Sequence, residues 1–418
     1  MSFQQGLSGL NASSKSLDVI GNNVANASTY GAKSSRAEFA DLYANAIGGS
    51  GGVGIGVTVE KVSQQFSQGN ITTTDNSLDL AIKGDGFFEV KDTNGQTLYT
   101  RNGQFEKDKE GYLVNPQGQQ LMGYPADTTG VIQPGAAKPL QLPTAGINPK
   151  PTSRITLEMN LDASKGTTTP ASGTIDFADA TTYNNASSIT AYDAKGQEVA
   201  LTYYVQKSGT DAWNIYVTAN GTSVATNAAG DPAPVTSMTF PANGSAPTSP
   251  TAPVSFDIPA STNAVGAVTV PMTGVKLDLG GVTQYGSIFG VTSGVQDGYA
   301  PGQLASIAID PSGVIMASYS NGQSKPAGQI EMASFRNPQG LQPLGGNAWE
   351  RTYASGDPVV GVPGSGNLGA LKSGALEESN VDLTGELVNM MTAQRVYQAN
   401  SQTIKTQDSI MQTLVNLR

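Results

Sequence analysis

The chain contains neither cysteine nor histidine. Without cysteine there is no disulfide framework, thiol nucleophile or thiolate metal site. Without histidine the commonest general base and the commonest transition-metal ligand are missing. Charge is scarce too: 13% of the 418 residues are charged, while glycine reaches 50 and proline 23. The net charge of −10 leaves no basic face for phosphate, so nucleic acid is not an expected partner. No run of about 18 apolar residues exists, and no membrane insertion is expected. The opening stretch MSFQQGLSGLNASSKSLDVIGNN has no basic segment followed by an apolar one, so it does not read as a cleaved Sec signal. These absences leave little for an enzyme to use; the expectation is no catalysis, no cofactor and no metal.

Proline placement organises what is present. The first is Pro116 and the last Pro363, so both ends are free of the residue that breaks helices. Ser2 and Gln5 have the spacing of a capping box. Phe3, Leu7, Leu10, Leu17 and Val24 then share one seam, with Ser14 and Gly21 at its weak positions, and Asn22, Asn23, Asn26 and Gly31 mark the exit. At the other end Ser379 to Asp382 offers a cap. Leu383, Met390, Tyr397, Ile404 and Met411 follow at seven-residue intervals, flanked by Leu387, Val396, Ile410, Leu414 and Leu417. Nearly forty residues at about 1.5 Å each make a rod about 58 Å long. The period is that of a coiled coil, and its stripe is too narrow to bury the helix in a globular core. The two rows are the candidate self-assembly residues. They pack partly on each other and partly on neighbouring copies, because a short first helix covers only part of the rod. Gln394, Gln398, Asn400, Gln402, Gln407 and Gln412 leave a polar, nearly uncharged face that suits the lining of a channel.

Between the helices the period drops to two. Val53, Ile55, Val57 and Val59 alternate, followed by SLDLAIKGDGFFEV and LYTRNGQFEKDKEGYLV. Turns at Gly84-Asp85-Gly86, Asn94-Gly95, Asn102-Gly103 and Glu110-Gly111 space the strands closely. From about Ile147 to Gln284 the composition drifts to Thr, Ser, Ala, Pro and Gly, as in an inserted, exposed β-domain. The expected class is α+β, with a coiled-coil-like helical terminal domain built from both ends (1–31 and 375–418). Connecting segments (32–76 and 357–374) lead to a split β-domain (77–146 and 285–356), which encloses an inserted outer β-domain (147–284).

Motifs with chemical meaning reduce to turns. Gly49 to Gly54 and Gly364 to Gly369 match G-x-G-x-x-G, yet neither opens a helix after a strand, as a nucleotide site requires. Asp75 with Asp79, Asp108 with Glu110, and Glu377 with Glu378 read as caps or solvated turns rather than an acid/base pair in a cleft. Asp92-Thr93-Asn94-Gly95 lacks the later Glu of a calcium loop.

Three stretches resemble the axial family of flagellar rod and hook proteins. They are SLDVIGNNVANASTYGAKSSRAEF (Ser16 to Phe39), SLDLAIKGDGFFEV (Ser77 to Val90) continuing through YTRNGQFEKDKEGYLVNPQGQQLMGYPA to Ala126, and GALEESNVDLTGELVNMMTAQRVYQANSQTIKTQDSIMQTLVNLR (Gly374 to Arg418). The large central insertion and the short segment FADLYANAIGGSGGVGIGV are similar to the family's hook members rather than its rod members. The resemblance implies a structural subunit that self-assembles into a helical homopolymer, a flexible tube transmitting torque from rod to filament. It also implies export through the flagellar export apparatus to the outside of the cell. Implied partners are the distal rod protein, the hook cap and the hook–filament junction proteins. A distal rod subunit is the alternative within the family; a secreted β-rich adhesin or carbohydrate-acting enzyme is the alternative outside it.

Overall fold

The computed structural model describes residues 2–42, 54, 56–168, 170 and 173–416. The first Gly-rich match through Val53, together with Ile55, Leu417 and the Leu414 side chain, lies outside the described residues. The class is α+β, with a helix at each end and strands between.

The first helix, α1 (Ser2–Ala25), ends where the Asn26 amide still donates to the Asn22 carbonyl at 3.1 Å. Gly31 then reverses the chain at φ 71°, and a Cβ there would lie 2.5 Å from the Asn102 amide nitrogen. Gln5 does not close a capping box; its amide donates to the Gly54 carbonyl. The second helix, α2 (Leu383–Asn416), starts on Asp382, whose Oδ1 accepts from the Thr384 amide at 3.1 Å. It begins at Leu383, as the cap and the heptad row suggest; Ala375–Glu377, within the expected helical terminal domain, is a strand paired with Ile71–Thr73.

The helices run antiparallel: Gly6 lies against Ile404, Gly9 against Asn400, and Asn23 bonds Glu386. At 24 and 34 residues they are about 36 and 51 Å long, so α2 outruns α1 by about 15 Å. Within the expected connecting segment, β1 (Ser35–Leu42) and β2 (Gly56–Gln64) form an antiparallel hairpin with a bulge between Glu38 and Phe39. The hairpin packs along α1, and the Val57 amide donates to the Ser8 hydroxyl at 3.3 Å.

Two compact units divide the chain. In the first, which holds both helices, consecutive Phe87 and Phe88 point to opposite faces of one strand, as the pleat requires. Phe88 joins Val90, Leu121, Ile330 and Met332 in one core. Phe87 joins Tyr99, Phe335 and Trp349 in an aromatic cluster, with ring centroids as close as 4.8 Å for Tyr99 and Phe335. Two short ladders tie incoming chain to outgoing chain: Leu80–Lys83 pairs with Ala370–Ser373, and Ile71–Thr73 with Ala375–Glu377. Segments expected to connect therefore carry ladder strands of their own.

The second unit covers 145–305 and 319–323. One sheet is built on Asn185–Tyr192, Glu198–Gly209 and Ala212–Ala219. The other is ordered Val254–Ile258, Met272–Asp278, Arg154–Asn160, Gly290–Gln296. Leu157, Leu201, Trp213, Ile215 and Leu277 belong to its single core, and the Trp213 indole donates to Gln284 at 2.7 Å. The unit runs past the expected edge at Gln284, because Gly290–Gln296 ladders with Arg154–Asn160.

Candidate assembly surface and the root of the terminal helices

A seven-residue repeat falls about 20° short of two full turns, so an apolar heptad row drifts around a straight helix. The rows chosen from sequence show this drift. On α1, Phe3 (49%) and Leu7 (44%) are exposed, while Leu10, Leu17 and Val24 are half-buried. On α2, Leu383 is exposed, Met390 and Ile404 are half-buried, Tyr397 sits at the margin at 37%, and Met411 is exposed. The structure brings Ile404 onto Gly6 and leaves Phe3 and Leu7 about half exposed.

What α1 offers α2 is a face of small residues. A Cβ on Gly9 would lie 2.8 Å from the Asn400 amide nitrogen, and Ser13 is buried one turn further on. Sequence periodicity missed this part of the contact because Gly6, Gly9 and Ser13 carry no large apolar side chain. Its only signal is small residues at i, i+3 and i+7: Gly6, Gly9 and Ser13. Asn400, read as part of a channel-lining face, packs on Gly9 instead.

A narrow contact through glycine leaves much of α2 uncovered. Leu387, Val388, Met391, Val396 and Ile410 are each between 45% and 53% exposed. Large exposed apolar patches on a folded chain are a common mark of interaction sites. Beside it runs a groove of about 680 Å³ between the helices and the hairpin, lined by Ala12, Ser16, Ala37, Phe39, Thr392 and Val396 among others.

The root of the helices is polar and closed. Glu377, expected with Glu378 in a cap or solvated turn, is instead sealed from solvent between two cations. Lys33 Nζ donates to its Oε1 at 2.7 Å, and Arg101 Nη1 reaches its Oε2 at 3.3 Å. Burial pushes the Lys33 ammonium below the usual lysine range, and the Glu377 carboxylate opposes this. Asn380 stitches the same region, accepting from the Ser34 amide at 2.7 Å and donating to the Gln65 carbonyl at 2.7 Å. No sequence signal singled out Glu377, because its partners lie 344 and 276 residues away.

Of the other paired carboxylates, Glu378 accepts from Asn70 at 3.2 Å across the ladder of Ala375–Glu377 with Ile71–Thr73, while Asp79 and Asp108 have local partners. Asp79 accepts from Thr74 and Asn76, and Asp108 closes a turn by accepting from the Tyr112 amide at 2.6 Å. Gly364 to Gly369 leads into the Ala370–Ser373 strand, not a helix. Among the described residues no three acidic side chains gather as a metal site.

One acidic pair does stand out. Glu331 precedes the Met332–Ser334 strand, which pairs with the strand carrying Glu89, and Tyr124 donates to Glu331 at 2.7 Å. Burial, with the Glu331 charge adding to it, pushes Glu89 up to about 7. A carboxyl raised in the folded state contributes stability that is complete below its ordinary value and lost as pH climbs through the raised one. Glu89→Gln should therefore melt higher than the parent at about pH 8, by about 1–2 kcal/mol after allowance for partial solvation, and match it near pH 4. Thermal melts at the two pH values check this, and a variant less stable at the higher pH contradicts it.

Comparison with known proteins places these parts together. Residues 3–33 match the flagella basal body rod protein profile, and 81–176 the flagellar hook protein FlgE/F/G D1 domain. Residues 160–299 match the flagellar basal body protein FlaE D2 domain, and 372–417 the flagellar basal body rod FlgEFG protein C-terminal profile. Terminal helices joined at a common root, with these β-domains nested between them, define a flagellar axial subunit. Over full length the chain is 41% identical to the flagellar hook protein FlgE of Salmonella typhimurium and 41% to that of Escherichia coli, covering 100% of each. It is 34% identical to the Rhizobium meliloti protein of the same name, covering 98% of it. The chain belongs to the flagellar hook protein family and is a structural subunit of the hook. The crystal structure of Helicobacter pylori FlgE2 shares the fold, with a TM-score of 0.54 at 15% identity over 73% of this chain and 100% of that one.

Proposed function

We propose that this subunit polymerises through its terminal helices into a tube that bends while carrying torque from rod to filament. The supporting observation is the apolar surface of α2 that α1 is too short and too narrow to cover. Phe3, Leu7, Leu10, Leu17 and Val24, with Leu383, Met390, Tyr397, Ile404 and Met411, form the seam between subunits, wound as a coiled coil in the polymer. The helical ends make the inner wall, the split β-domain and its insertion the outer layers. The subunit reaches the outside of the cell through the flagellar export apparatus without a cleaved signal. There it adds beneath the hook cap, between the distal rod and the junction proteins.

Electron microscopy of purified chain tests the reading, with curved tubes as the expected product and discrete particles as the outcome against it. Trypsin gives the same answer at residue level. Arg395 and Lys405 are exposed on α2, so both should be cut in the monomer and resist in the tube. Equal cutting in the two states would place the helices outside the assembly contact.

A further inference from the structure

Three segments far apart in the chain meet at Glu377. Lys33 comes from the turn after α1, Arg101 from the β-domain, and Glu377 from the strand leading into α2. Their side chains are 0%, 3% and 0% exposed. Lys33 also donates to the Ser67 carbonyl at 2.7 Å and Arg101 to the Gly84 carbonyl at 3.0 Å. The Gly69 amide donates to Glu377 Oε1 at 2.8 Å, and the Gly31 amide to the Glu377 carbonyl at 2.8 Å. The backbone here has no slack, since a Cβ on Gly69 would lie 2.0 Å from the Glu378 carbonyl oxygen.

We propose that Glu377 is a positioning residue for assembly: by holding Lys33 and Arg101 on its two oxygens, it sets the direction in which α1 and α2 leave the β-domain. This rests on the polymerisation reading above. Stability alone does not explain the arrangement. Glu377 with Arg101 would already be a balanced pair, and Lys33 adds a second charge that must be desolvated. The Arg101 Nε has no partner even so. Buried ion pairs are poor sources of net stability compared with apolar packing, but each donor has one direction, and the cluster fixes three. Subunits in a helical polymer repeat any error in that direction at every step, so the angle matters more to elongation than to the fold of one chain.

Lys33→Met tests this, because it keeps the aliphatic stem and leaves Glu377 and Arg101 as a neutral pair. With full-length monomer and sheared tubes as seeds, the variant should keep the parent's melting temperature while its elongation rate falls on the order of tenfold. Lys33→Gln can still donate to the Ser67 carbonyl and should recover part of the rate, which a loss of packing alone would not predict. Elongation of Lys33→Met at the parent's rate overturns the proposal. So does a loss of elongation that merely follows a fall in melting temperature. Failure of the parent itself to elongate seeds overturns the polymerisation reading, and the proposal with it.

Discussion

Tyr397→Asp should leave the melting of the monomer unchanged and stop polymerisation. Tyr397 lies at the margin of the helix pair, 37% exposed, so an aspartate there stays partly hydrated in the free chain. The β-domains have cores of their own and do not depend on it. In the tube the same position is proposed to lie in the seam, where an unpaired buried charge costs several kcal/mol. A penalty of that size lowers each addition step by about a thousandfold or more, and every subunit repeats it. Gln398→Asp, one residue along and already exposed, should be far milder. Leu7→Asp makes the matching test on α1, where the side chain is 44% exposed. Light scattering during seeded growth reads all three. Normal growth of Tyr397→Asp, or a monomer melted as severely as assembly is blocked, would make α2 an ordinary packed element of a single chain.

Gly103→Ala should unfold the first unit's β-domain. A Cβ at this position would sit 1.7 Å from the Leu80 carbonyl oxygen, and the Leu80 amide donates to the Gly103 carbonyl at 2.9 Å. Main chain stands on both sides of the clash, so no rotamer change relieves it, and Leu80 is itself fully buried in the core. The expected loss is about 4 kcal/mol or more, among the largest a single methyl can cause. Gly118→Ala is the control. It has φ 78° but open space around it, so it carries backbone strain of about 1 kcal/mol without a collision. Calorimetry separates the two, and near-equal melting of the variants would show that the chain crossing at Gly103 is looser than described.

The architecture was legible where one chemical signal dominated a segment. Ends without proline read as helices and are helices; the alternation that includes Val57 and Val59 read as a strand and there is one over Gly56–Gln64. The helix contact was not legible, because the heptad rows are the loudest apolar signal at the ends while α1 meets α2 through Gly6, Gly9 and Ser13. Hydrophobic periodicity cannot register a face whose merit is the absence of side chain. Glu377 was missed for a different reason. Beside Glu378 and a capping stretch it looks solvated, and only tertiary convergence with Lys33 and Arg101 buries it. The edge of the inserted unit was displaced because Gly290–Gln296 is a Gly/Ser/Thr-rich strand with a weak pattern, held by its partner strand.

The two ladders that join residues 71–83 to residues 370–377 also impose an order in time. A chain that appears N-terminus first cannot close either ladder, or the Lys33–Glu377 contact that spans 344 residues, until nearly all of it has emerged. The second unit, whose strands lie between 154 and 296, can form earlier on its own. The enclosing unit cannot, and loop closure over such a separation adds its own delay. The topology works as a completion signal: the part of the molecule that carries both helices reaches its final form only when its last segment arrives, and a truncated chain lacks the strands that would seal it.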